Sequence, residues 1–269
     1  MSYDYSSLLV DKKTDERFNR LYRNALKKNG FAVVRRPSGD YYIVTDGENE
    51  LGFDISTEKF LFARSRDESI AEKLVKRTEG DFDALDRLVS FTNGQEFLRY
   101  VIMREEEISP SMIAAPVSAK LRKVMCYSGD DVHARILDST YLTRWDIPAQ
   151  VMFSVADRNL SRLLDSVKMD VSVISDDMPV RCIEFTARNA FTAALMTCSD
   201  FYPFMVPKLG KVFLACAPSK DFMVAVSDVS GHMLETVRDA LNEEFRFAST
   251  PLSTEMFKFT GGGFKVLDE

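Results

Sequence analysis

The sequence predicts an α+β fold in which antiparallel sheets with packed helices form two closely associated lobes. Short runs of β-branched and aromatic residues are joined by turn residues, which is typical of antiparallel sheets. Segments with apolar residues at helical spacing lie between groups of such runs and do not alternate with each one. Hydrophobic residues make up 45% of the 269-residue chain, which is enough to build a substantial core.

The first lobe is predicted over residues 1–110. It opens with a helix in "TDERFNRLYRNALKKNG", where Thr14 is the expected N-cap and Gly30 the expected end. The spacing of apolar residues predicts helical structure over residues 67–106. Between these helical segments, turn residues separate four β-like runs that predict an antiparallel meander: 31–36, 41–46, 50–56 and 59–65.

The second lobe is predicted over residues 111–269, after the proline-bearing loop "ISPSMIAAPVS". It opens with a hairpin in which "GDD" joins "AKLRKVMCYS" to "VHARILDS". The segment 199–210 forms a short helix or a loop, "GHMLETVRDALNEEFRF" forms an amphipathic helix, and a hairpin around "TGGG" closes the chain. The remaining β-like runs of this lobe are 171–175, 181–187, 191–198, 211–217 and 222–228.

The only tryptophan of the chain lies in "YLTRWDIPAQVMFSVADRNL". Pro148 stands where a helix can begin, and Asp146 just ahead of it is a plausible cap. Trp145 precedes that cap, where an apolar residue often packs back onto the first helical turns. The structural interpretation makes Trp145 a core residue, and the alternative makes it part of a binding site.

Three groups of positions recur in order along the second lobe: Leu142, Trp145, Ile147, Ala156, Asn159 and Leu160, then Ala217, Pro218 and Ser219, then Leu252, Ser253 and Phe257. In this order the segments resemble the YtpQ-like families of uncharacterised bacterial proteins, which are common in Firmicutes. The resemblance covers about residues 115–265 and rests on apolar and turn positions. It implies a fold and a cytoplasmic bacterial origin, including a prophage-borne one, but no reaction, cofactor or catalytic residue.

The composition argues against several classes of function. The net charge of −6 and the pI near 5.2 disfavour a dedicated nucleic-acid binder, which needs clustered cations to neutralise phosphates. No run of about 18 apolar residues predicts a membrane span, and no leader pattern is seen, so a cytoplasmic location is expected. The four widely spaced cysteines predict buried reduced thiols, with no metal site and no cofactor.

One local exception to the acidic charge lies at residues 1–36, which carry nine basic and four acidic residues. A solvated helix face is the simpler interpretation. A docking face for an acidic protein partner is the alternative, with Arg17, Arg20 and Arg23 as its candidate residues.

Three groups of polar residues are candidate sites of chemistry, and a simpler structural interpretation competes with each. A Cys126–His133 dyad would need an orienting group and an oxyanion hole. A Ser–Lys pair at "APSKD" would need adjacent side chains to converge, which a strand prevents. The paired acids at 105–107, 130–131 and 176–177 resemble solvated turns more than a metal site. The glycines of "TGGGFK" lack the pattern of a phosphate-binding loop and predict a turn.

These observations favour a non-catalytic protein-binding or adaptor module with an unidentified protein partner. Open antiparallel sheets offer edges to partners, and a homodimer through such an edge is possible. Two alternatives stay open: a hydrolase or other enzyme with a non-standard site, and a phage or mobile-element factor that binds a host protein through the basic helix.

Overall fold

The computed structural model describes residues 11–130, 132–173, 180–185 and 189–267. The chain divides into two compact units, residues 1–86 and 87–269. The sequence predicts the boundary between the lobes later in the chain, between residues 110 and 111. The difference arises because the strand Leu98–Arg104, which lies in the predicted first lobe, pairs with Leu121–Tyr127 of the second unit.

In its described part, residues 11–86, unit 1 combines three helices with one sheet. The antiparallel sheet has the order β1-β2-β3, so the first three runs of the predicted meander are confirmed. Its elements are α1 (Lys12–Lys28), β1 (Ala32–Arg35), β2 (Tyr41–Thr45), β3 (Glu50–Asp54), α2 (Ser56–Ser65) and α3 (Ser69–Arg87).

The helix α1 forms as its periodicity predicts, and its apolar side packs into the core of unit 1. Phe18, Tyr22 and Leu26 are buried against apolar side chains of β2, β3 and the other helices. The expected N-cap is wrong, because the Asp11 carboxylate accepts the amide hydrogen of Thr14 at 3.0 Å and so occupies the capping position.

The predicted fourth strand at 59–65 is wrong, because these residues belong to α2. Its buried side chains, Lys59 and Phe62, are three residues apart, which is helical spacing. The Lys59 ammonium lies 2.6 Å from a carboxylate oxygen of Asp15 and 2.5 Å from one of Asp40. A buried lysine is tolerated here because two carboxylates compensate its positive charge.

Unit 2 contains two further antiparallel sheets. In the smaller sheet β6 lies between β4 and β5 and also pairs with β7, while the larger has the order β13-β12-β10-β11-β9-β8. The elements are α4 (Phe91–Gly94), β4 (Leu98–Arg104), β5 (Ala114–Pro116), β6 (Leu121–Tyr127), β7 (Arg135–Ile136), α5 (Thr140–Trp145), α6 (Ala149–Ser161), β8 (Met169–Val173), β9 (Arg181–Phe185), α7 (Thr192–Leu195), α8 (Phe201–Leu209), β10 (Phe213–Ser219), β11 (Phe222–Ser227), α9 (Gly231–Phe247), β12 (Phe257–Thr260) and β13 (Gly263–Val266).

Two predicted elements of unit 2 have the wrong type. The helical prediction for 67–106 fails at β4, whose residues 98–102 are all buried and therefore show no strand alternation. The predicted strand at 191–198 contains α7 instead. The Asn189 side chain there accepts the Phe191 amide hydrogen at 3.0 Å, which favours a helical start over a strand.

Several other predictions for unit 2 are confirmed. The predicted strands 171–175 and 181–187 are strands as far as 173 and 185, and residues 174, 175, 186 and 187 lie outside the described residues. The hairpin β6–β7 pairs Cys126 with Ile136, and the closing hairpin pairs Thr260 with Gly263 across its turn. The segment 199–210 contains α8, and α9 spans the predicted amphipathic helix. The α+β class is therefore correct. Within the described residues, no helix has both the length and the apolar character that crossing a membrane requires.

Candidate peptide-binding edge of the six-stranded sheet

Trp145 lies in the core of unit 2 and is only 8% exposed. Its indole nitrogen donates a hydrogen bond to the Leu88 carbonyl oxygen at 3.1 Å, and its ring contacts Phe91 and Tyr141 edge-on. The local geometry differs from the prediction, because Trp145 ends α5 and Asp146 follows it in the left-handed conformation, at φ 51°. Asp146 therefore caps the end of α5, and Pro148 alone precedes α6.

The three candidate arginines lie along α1 in unit 1. Arg17 forms an ion pair with Glu68 at 2.5 Å, and its guanidinium lies 5.8 Å from the centre of the Phe62 ring. Arg20 and Arg23 are exposed, and the Arg23 guanidinium lies 5.8 Å from the centre of the Tyr42 ring. Among the described residues, Arg17 is ion-paired while Arg20 and Arg23 have no carboxylate within ion-pair distance, and the role of this basic face in partner binding stays a prediction.

The structure separates Cys126 from His133. Cys126 is fully buried and pairs with Ile136 across the hairpin, and burial raises the pKa of its thiol. The His133 ring nitrogen Nδ1 lies 2.6 Å from a carboxylate oxygen of Asp130. Burial raises the pKa of Asp130, but its hydrogen bonds from the side chain and backbone of His133 outweigh that effect and the net pKa is lowered.

The Ser219–Lys220 pair also points in different directions. The Ser219 hydroxyl donates to the Asp221 carboxylate at 2.6 Å, while the Lys220 ammonium lies 3.0 Å from Glu107. Burial raises the pKa of Glu107, and the hydrogen bond from Lys220 and others reverse this, so that the net pKa is lowered. The arrangement holds the end of β10 to the turn after β4.

The acidic groups do not converge in the part of the chain that the structure describes. Arg122 and Arg104 contact Glu105 and Glu106, and no cluster of three or more His, Cys, Asp or Glu side chains with metal-binding geometry is found there. Residues 131, 176 and 177 lie outside the described residues.

A buried polar cluster that the sequence did not indicate lies between β4, β6, α6 and the end of α7. The Tyr100 hydroxyl donates to Asp157 at 2.9 Å, and the Lys123 ammonium donates to the Thr197 carbonyl oxygen at 2.9 Å. Burial and the Asp157 charge raise the pKa of Tyr100 well above its ordinary value, and burial lowers the pKa of Lys123. These groups satisfy one another, which is typical of a cross-link within a core.

Among the described residues, the strand β8 forms one edge of the six-stranded sheet. It pairs on one side with β9 and is the last strand of the six-stranded sheet. Val171 is 66% exposed and Val173 is 56% exposed. An edge strand presents unpaired backbone N–H and C=O groups, and exposed valines beside them add apolar surface.

The two faces of β8 differ in chemistry because side chains alternate along a strand. Val171 lies opposite Ile183 and Val173 lies opposite Arg181, on the sheet face away from α9. Asp170 lies opposite Glu184 on the face that α9 covers. Like charges placed directly opposite each other destabilise a sheet.

A groove of about 400 Å³ lies between α9 and the strands beside this edge. Ser172 of β8 lines its outer end, so that the groove opens at the sheet edge. Its floor is apolar and is formed by Cys182, Phe222, Val224, Val226, Val237 and Leu241. Phe247 lines the groove at the end of α9 and is 80% exposed.

The charged groups of the groove are all acidic. Glu184, Glu243 and Glu244 line it, and Asp170 stands opposite Glu184 at its outer end. Among the described residues none of these four carboxylates has a basic partner within ion-pair distance. An apolar floor with an acidic rim suits a Lys or Arg side chain, whose methylenes pack on apolar surface while its charge stays at the rim.

The sequence contained one signal for this site. In "MDVSV" (169–173), Met169, Val171 and Val173 alternate with Asp170 and Ser172, which indicates a strand with two different faces. The position at the sheet edge depends on the strand order and not on the strand itself, so sequence reasoning did not reach it.

Comparison with protein-family models gives no match, and comparisons with curated proteins and with solved structures give none either. The resemblance to YtpQ-like proteins therefore stays a prediction.

Proposed function

We propose that this chain is a non-catalytic protein-binding module whose β8 edge accepts an extended segment of a partner protein. The segment adds a strand to the six-stranded sheet, with apolar residues on one face and Lys or Arg on the other. The proposal rests mainly on one observation. The exposed edge carries valines on one face and, on the other, Asp170 opposite Glu184, with no basic partner for either carboxylate among the described residues.

The added strand binds through its main chain and is selected by its side chains. Main-chain hydrogen bonds to an open sheet edge supply affinity, and pockets for alternate side chains supply specificity. Apolar side chains of the segment lie beside Val171 and Val173. The intervening basic side chains point to the α9 face, where Asp170 and Glu184 lie and where the groove begins.

The proposal includes a cytoplasmic location. All four cysteines are free and buried. Burial raises the pKa of Cys198 to about 11 and that of Cys216 to about 12, which keeps both thiols protonated and unreactive. Buried reduced cysteines are typical of proteins in a reducing compartment.

Fluorescence anisotropy with a short fluorescein-labelled Val-Lys repeat peptide tests the binding mode. We expect this peptide to bind and a Val-Glu repeat to bind at least about tenfold more weakly, because the groove is acidic. The same Val-Lys peptide with every backbone nitrogen methylated keeps its charge but cannot donate main-chain hydrogen bonds to the edge, and its binding should be lost.

The Glu184→Gln variant tests the site. Its binding of the Val-Lys peptide should weaken by about three- to tenfold, as expected for loss of one partly buried charge pair. Glu235→Gln is the matched control, because Glu235 lies on the same helix as Glu243 but does not line the groove. Equal binding by both variants would place the peptide elsewhere and overturn the proposal.

Sedimentation velocity separates a foreign partner from a second copy of the chain. A monomer that binds the Val-Lys peptide supports the proposal. A dimer that is broken by Val171→Lys and does not bind the peptide would show that the edge serves self-association instead.

A further inference from the structure

A second pocket of unit 2 has the opposite charge to the groove. It has a volume of about 600 Å³ and lies between the α4 segment and the end of α6. Val155 is the only apolar side chain among its lining residues in the described structure. The pocket is therefore built for a polar ligand, and its properties do not depend on the proposed protein-binding function.

Two arginines at this pocket have no acidic partner among the residues that the structure describes. Arg158 and Arg162 lie four residues apart, which places them on one side of the helix, and both are exposed. No carboxylate lies within ion-pair distance of either in the described part of the chain. Like charges at this spacing repel each other, so an anion bound between them relieves an unfavourable arrangement.

The rest of the lining strengthens the positive charge and adds hydrogen-bonding groups. Arg87 forms an ion pair with Glu96 at 2.9 Å, so that the three arginines and one glutamate leave a net charge of +2. Thr92 and Asn93 bring a hydroxyl and an amide to the same space.

The arginines stand on a fixed support. Asn159, which lies between the two arginines in the sequence, is buried. Its side-chain amide nitrogen donates to the carbonyl oxygens of Gln95 at 2.8 Å and Leu98 at 3.0 Å. These bonds hold α6 against the segment that carries the opposite wall. A site held in place before binding loses less entropy when the ligand binds.

We infer that this pocket binds a small, polar phosphomonoester. A phosphomonoester carries a charge of about −1.5 to −2 at neutral pH, which matches the two unpaired arginines. Guanidinium groups bind phosphate oxygens through paired hydrogen bonds. Because the pocket lining has so little apolar surface, a bulky hydrophobic group of a ligand would find nothing to pack against.

Isothermal titration calorimetry with glycerol 3-phosphate tests this inference on the full chain. We expect one site, with affinity about tenfold lower in Arg158→Gln and in Arg162→Gln and lower again in the double variant. Arg246→Gln is the matched control, because Arg246 is also an exposed arginine in the last turn of a helix. Its affinity should equal that of the unchanged protein.

The pH dependence distinguishes the dianion from any other anion. Affinity for glycerol 3-phosphate should rise as the pH passes the second phosphate pKa of about 6. Dimethyl phosphate, a monoanion throughout, should bind more weakly at pH 7 and show no such rise. Absence of binding at millimolar glycerol 3-phosphate, or equal binding by the double variant with an unchanged circular dichroism spectrum, would overturn the inference.

Discussion

The two edges of the six-stranded sheet carry like-charged pairs of opposite sign. At the β13 edge Lys258 lies opposite Lys265, and at the β8 edge Asp170 lies opposite Glu184. Lys258 is compensated by Asp228, whose carboxylate lies 3.0 Å from its ammonium. The acidic pair has no such partner among the described residues.

The apolar side chains of the two edges differ in the same sense. Phe264 of β13 packs on the rings of Phe257 and Phe259, so that the edge strand is anchored to the core. Val171 and Val173 of β8 remain more than half exposed. The β13 edge carries lysines, which oppose edge-to-edge pairing, and a phenylalanine that packs on neighbouring rings, while the β8 edge has neither feature among the described residues. This difference is the reason why we propose strand addition at β8 and not at β13.

The largest expected effect is at the protected edge. Phe259→Ala removes a ring that stacks on Phe213 at 4.9 Å and contacts Phe201 and Phe264. We expect a loss of about 3–5 kcal/mol in the free energy of unfolding, because the variant leaves a cavity in a close-packed aromatic cluster. Urea denaturation measures it. A loss below about 1 kcal/mol would show that β13 is not anchored as described.

A change away from both edges sharpens the comparison. Trp145→Ala should also cost about 3–5 kcal/mol, since it removes a buried indole and leaves the Leu88 carbonyl oxygen without its donor. In the fraction that remains folded, the Kd for the Val-Lys peptide should not change. A specific loss of peptide binding in stably folded protein would instead support the alternative in which Trp145 belongs to a binding site.

The sequence predicts most securely those helices and strands whose periodicity is visible within their own residues. Strands such as 41–45 and 222–227 and the helix at 231–247 carry their own periodicity, and each was predicted. The strand β4 was missed because both of its faces are buried by segments distant in sequence. The candidate edge was missed for a related reason, since an open edge is a property of the strand order and not of the residues 169–173 alone.

The repulsion between Asp170 and Glu184 predicts that removing one charge stabilises the fold but weakens peptide binding. Asp170→Asn should raise the free energy of unfolding by about 0.2–1 kcal/mol, because it removes the repulsion across the strands. The same variant should bind the Val-Lys peptide more weakly. Thermal denaturation and anisotropy measure the two effects. Destabilisation by Asp170→Asn would mean that the carboxylate already has a favourable partner in the protein.

The smallest expected effect on stability is at the exposed valines. Val171→Thr and Val173→Thr should each change the free energy of unfolding by no more than about 0.5 kcal/mol, because neither side chain is buried. Threonine keeps the β-branched shape but adds a hydroxyl to the apolar face. Both variants should therefore weaken peptide binding while urea denaturation stays nearly unchanged, and a large loss of stability would show that the valines support the fold itself.

The most direct test is hydrogen–deuterium exchange of the full chain with and without the Val-Lys peptide. Strand addition predicts slower amide exchange in β8, residues 169–173, no change in β13, residues 263–266, and no protection by the backbone-methylated peptide. Binding of the peptide without protection of β8, or with protection of β13 instead, would contradict the assignment of β8 as the open edge that receives a partner.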